Sequence, residues 1–102
     1  MAGELTQAIE SWPPGLVAAW NHCLELVRIR KAAEDEAERA RYEWNQHFAA
    51  QWNTPGLPDH KMQALAKRHM AADDARKRAY DDWRAAHDRF RAQYREWKAI
   101  CP

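Results

Sequence analysis

Glycine is almost missing from this chain of 102 residues: there are three, beside five prolines, and neither type occurs from Leu16 to Trp52 or from Asp59 to Cys101. With so little glycine there is no Gly-rich phosphate loop, and the profile is closer to long amphipathic helices than to a sheet protein. Only two cysteines are present, Cys23 and Cys101, and their separation matches no metal or redox spacing. Net charge is low as well, at +1, so bulk electrostatics call for neither nucleic acid nor an anionic membrane. Long apolar runs are lacking, and "MAGELTQAIESW" has neither the basic start nor the apolar stretch of a secretory signal. These absences set the expectation of a cytoplasmic chain with no cofactor, no structural metal and no membrane association.

What is present is helix-forming sequence. Charged residues make up 30% of the chain and hydrophobic ones 46%, the profile of long amphipathic helices. "GELTQAIESW" places Leu5, Ala8, Ile9 and Trp12 on one face, which predicts a short helix over about residues 3 to 11. Pro14 suits the first turn of a second helix, predicted over about 15 to 53. The cluster "QWNTPGLPDH" then interrupts the pattern: residues 53 to 57 read as a turn, Asp59 as an N-cap or favourable first-turn anion, and a last helix as running from about 58 to 100. Two long helices joined by a few residues fold back on each other. The expected fold is therefore all-α, a single helical domain over residues 1 to 102: a long antiparallel, coiled-coil-like hairpin with a short N-terminal helix, dimerising into a bundle.

In the last helix Met62, Leu65, His69, Ala72, Arg76, Ala79, Trp83, His87, Phe90, Tyr94, Trp97 and Cys101 recur at spacings of three and four, with a stutter between Trp83 and His87. The matching set expected on the first long helix is Leu16, Trp20, Cys23, Val27, Arg30, Glu34, Ala37, Arg41, Trp44 and Phe48. In that register Glu34, Arg41 and Arg76 form a charged layer that penalises slippage. A second stripe is left over: Leu26, Ile29, Ala33, Ala37, Ala40, Trp44 and His47. Its expected occupant is a second copy of the chain, another protein, or the short first helix with Leu5, Ile9 and Trp12.

Chemistry finds few candidates. There is no G-x-S-x-G and no H-E-x-x-H, and the cysteines hold positions that suit small buried hydrophobes. His69 with Asp73 and Glu43 with His47 are spaced four apart, as metal-binding pairs on bundle helices can be, but the Glu-x-x-His repeat of di-iron bundles is absent and seam packing accounts for the histidines. "DRFRAQYREWK" interleaves rings with arginines in the manner of single-strand binding surfaces, yet Phe90, Tyr94 and Trp97 all fall on the seam. What remains is a flanking cationic row, Lys77, Arg84, Arg91, Arg95 and Lys98, read either as a solvated row that pairs with acids such as Glu25 or as a strip for an acidic protein or a nucleic-acid backbone.

A hairpin with Trp52 at its turn resembles in outline the small WXG-type proteins exported by type VII secretion, which implies a dimeric four-helix bundle and a secreted role. The residues depart from that family's pattern. Trp52-Asn53-Thr54-Pro55-Gly56 is not Trp-x-Gly, and Tyr80 and Tyr94 are followed four residues on by Arg84 and Lys98 in place of the acid of the export signal. The leading expectation is thus a non-enzymatic interaction protein: a small adaptor, regulator or inhibitor, of the sort phages and mobile elements encode, working as a homodimer or on another protein. A helical nucleic-acid binder using the cationic row is the alternative from another class.

Overall fold

The computed structural model describes residues 10–52 and 59–100. Two α-helices account for nearly all of them, α1 over Pro14–Trp52 and α2 over His60–Ile100, with no strand among the described residues. The expected short helix and the turn fall almost wholly outside that range, as do Pro58 and Cys101.

Both helices start where local chemistry allows. Pro14, whose ring pre-sets φ and whose missing N–H is not needed there, opens α1, and the Pro13 carbonyl accepts from the N–H groups of Leu16 and Val17 at 3.0 and 3.1 Å. At α2 the Asp59 carboxylate accepts from the Met62 N–H at 2.7 Å, and its carbonyl accepts from Gln63 at 3.1 Å. Asp59 is the N-cap the sequence pointed to. Between these starts and the helix ends, Ala, Glu, Arg, Leu and Lys keep propensity favourable throughout.

Contacts divide the chain into two units, Met1–Arg28 with Asp81–Pro102, and Ile29–Tyr80. The first, the terminal unit, has an aromatic core. Leu16, Cys23, Ala86 and Phe90 are buried, and Trp12, Ala19, Trp20, Leu26, Tyr94 and Trp97 pack round them. Trp12 lies against Trp20, Phe90 and Tyr94 with centroids 6.3, 5.6 and 5.9 Å away, at tilted or edge-on angles that suit ring quadrupoles. Because each such ring removes some 150 to 250 Å² from water, a few of them dominate the packing of this unit.

The second, turn-side unit is a helical hairpin with a seam of small residues. Its buried side chains are Ala40, Met62, Ala72 and Ala79, with Ala33, Ala37, Trp44, His47, Leu65 and His69 half-buried beside them. Polar contacts cross it in antiparallel order. His47 and Gln51 reach Asp59, Glu36 and Glu43 reach Arg68, and the Arg30 guanidinium sits over the Tyr80 ring at 5.8 Å. As the α1 number falls, the α2 number rises.

The seam on α1 is not the one expected. Leu16, Cys23, Arg30, Ala37 and Trp44, seven apart, face inward as predicted, but the residues that accompany them lie three positions on: Ala19, Leu26, Ala33, Ala40 and His47. Val27, Glu34, Arg41 and Phe48, expected inside, are exposed. Burying the charges at 34 and 41 would cost far more than exposing them does, and alanine lets two helix backbones approach closely. On α2, Ala86 is buried between Trp83 and Phe90, so the three-four spacing continues past the predicted stutter. It slips only after Phe90, where Tyr94 in place of Gln93 turns inward.

Candidate interaction surface

The second stripe is drawn largely into the chain's own packing. Leu26 packs against the aromatic core of the terminal unit, Ala40 is only 1% exposed, and Ala33, Ala37, Trp44 and His47 are half-buried in the turn-side seam. Of the seven residues only Ile29, at 41% exposure, is open to solvent. The ridge is thus not the free apolar surface that the sequence suggested, because the flank assigned to the hairpin and the flank left over exchange places.

Apolar surface is free elsewhere. Trp44, Phe48 and Trp52 follow one another at intervals of four on α1, and their rings form a ladder with centroids 5.9 Å apart at both steps. Exposure rises along it, from half-buried Trp44 to 43% at Phe48 and 77% at Trp52. Tyr42 and Met70, in the same unit, are 63% and 66% exposed. An i, i+4, i+8 row of rings is the signal in the sequence that points to this surface.

The same row of α1 continues through Asn45 and Arg41 into an open groove of about 520 Å³. Glu34, Glu38 and Asp73 line it together with Arg41, Arg76 and His69. The expected layer of Glu34, Arg41 and Arg76 does share this groove, but the ion pairs run within helices: Arg76 to Asp73 at 2.9 Å, and Arg30 to Glu34 at 3.3 Å. A charged contact that does join α1 to α2 is made by Arg68, which donates to Glu36 at 2.9 Å and also pairs with Glu43. The Arg68 hydrogen bond holds the Glu36 carboxyl below the usual range, as Arg76 does that of Asp73.

The cationic row splits. Lys77 pairs with Asp73 at 3.3 Å, whereas Arg84, Arg91, Arg95 and Lys98, all exposed, have no ion-pair partner among the described residues. Glu25, expected to help neutralise them, is taken by Arg28.

Burial pushes the Cys23 thiol up, against a smaller opposite effect of the Arg89 charge, so little nucleophilic thiolate is present at neutral pH. No group of three or more His, Cys, Asp or Glu among the described residues is placed to hold a metal ion. Asp73 is engaged by Arg76 and Lys77, His47 faces Asp59, and His87 stacks on Trp83 with centroids 5.1 Å apart. Among the described residues no helix is long and apolar enough to cross a membrane. No protein family, curated protein or solved structure matches the chain.

Proposed function

We propose that this protein is a non-enzymatic protein–protein interaction module that works through the exposed ring ladder Trp44, Phe48 and Trp52. The observation that supports this reading is the 77% exposure of Trp52 at the end of a contiguous aromatic row. Aromatic side chains are the residues that interfaces enrich, since they remove much apolar area from water at the cost of ordering only two side-chain torsions. Leaving them in solvent forgoes roughly 25 cal/mol for every Å² that a partner could cover. An adaptor, regulator or inhibitor fits such a surface. The test is a photo-crosslinking amino acid at position 52 in the producing cell. Discrete adducts to a polypeptide that disappear with Phe48→Glu support the module, and an absence of adducts to any polypeptide overturns it.

A second reading rests on a separate observation, the four exposed cations Arg84, Arg91, Arg95 and Lys98 that lack ion-pair partners among the described residues. A face of that kind suits a nucleic-acid backbone. Four phosphate contacts on duplex DNA give a log–log salt slope of about −4, and binding that ignores salt, or no binding at low salt, removes this reading.

A further inference from the structure

We infer that the occupant of the ring ladder is a second copy of this chain, packed through α1 of the turn-side unit as a symmetric dimer; this rests on the interaction-module reading and names its partner. Three observations carry the inference.

The apolar content of the turn-side unit is the first. Among its described residues the buried ones are three alanines and Met62, while Tyr42, Phe48, Trp52 and Met70 stand in solvent. Most of the large apolar side chains of this unit are still waiting for a core.

Self-compatibility of charge is the second observation. A two-fold interface brings one face against itself, so a face of single sign repels its own copy. The cationic face of Arg84, Arg91, Arg95 and Lys98 fails on that ground. By contrast, residues 44 to 52 of α1, the stretch that carries the ladder, contain no Asp, Glu, Lys or Arg, so that stretch meets its own copy without like-charge repulsion.

The third is the geometry of the ladder. Rings at intervals of four form one of the oblique ridges by which helices interlock. An antiparallel copy centred on Phe48 sets Trp52 of each protomer against Trp44 of the other, since 44 and 52 lie equally far from 48. The arrangement is isologous by construction.

Sedimentation and light scattering on the purified full chain test this. The wild type is expected at a mass of twice 12.0 kDa at micromolar concentration, and Phe48→Glu with Trp52→Glu is expected at 12.0 kDa with unchanged helical circular dichroism. As a check against loss of folding, Trp52→Ser alone is expected to weaken the dimer at least tenfold. A wild type that stays monomeric at about 100 μM overturns the second copy, and crosslinked adducts to a different polypeptide then leave the module reading standing. A double variant that remains dimeric shows that the dimer uses another face, and the inference fails. Enhanced self-association on Arg84→Glu with no effect of the ladder substitutions overturns it equally.

Discussion

The imidazole Nε2 of His47 lies 3.2 Å from Oδ1 of Asp59, twelve positions further along the chain. That carboxylate also caps α2 through the Met62 N–H and accepts from the Gln51 side chain at 2.9 Å, so one residue starts the second helix and ties it to the first. The Met62 N–H chiefly, helped by His47, holds the Asp59 carboxyl below the usual aspartate range, against a smaller upward effect of burial. A depressed carboxyl contributes stability that is present above its unfolded value, near pH 4, and is lost as pH falls through the lower folded value. Stability followed by circular dichroism is therefore expected to fall more steeply below about pH 4 in the wild type than in Asp59→Asn, which keeps a cap but not the charge, while the wild type stays the more stable of the two down to the lower folded value. An unchanged profile refutes the role.

The seam assignment on α1 has a direct check in two adjacent residues. Ala40→Leu forces extra methylenes into a contact with no room and is expected to cost about 1 to 3 kcal/mol. Arg41→Leu, one residue on but exposed, should stay within about 0.5 kcal/mol of wild type. Equal effects in urea denaturation would return the seam to the other flank.

In the terminal unit Phe90 is the ring most enclosed, in contact with Trp12, Trp20 and Tyr94. Phe90→Ala should destabilise by about 3 to 5 kcal/mol through the cavity it leaves. Trp83, half-buried and stacked on His87, should lose less on truncation despite being larger. Thermal melts of the two variants rank them, and a reversed order would move the core toward Trp83.

Arg68 is exposed, so its pairing with Glu36 and Glu43 is open to screening. Arg68→Ala is expected to lower the melting temperature at low salt, with the difference from wild type shrinking toward 1 M salt, where the screening length is about 3 Å. A difference that persists at high salt would assign the loss to the packing of the arginine stem.

The two units differ in what holds them, and exchange with solvent should show it. Alanines bury little area each, so amides of Ile29–Tyr80 are expected to exchange deuterium faster than those around Leu16, Cys23 and Phe90. Uniform protection along α1 would show instead that the helix opens as one body.

Element type, the helix starts at Pro14 and Asp59, and the inward set Leu16, Cys23, Arg30, Ala37 and Trp44 were all determined by local sequence, since they follow from missing glycine, capping chemistry and a repeat of seven. The companions of that set were not. A seven-residue repeat leaves two flanks, three or four positions on, and here both carry apolar residues: Leu26, Ala33 and Ala40 on one, Trp20, Val27 and Phe48 on the other. Glu34 and Arg41 hinted at the answer, but charge at a seam position also occurs as a register device, so the hint had two meanings. Only the facing helix decided between them. Ala72 and Ala79 on α2 are buried, as is Ala40 on α1, which suits a close approach of the two helices, and Phe48 on the other flank is turned out, which is why the surface proposed for a partner is the ladder and not the ridge.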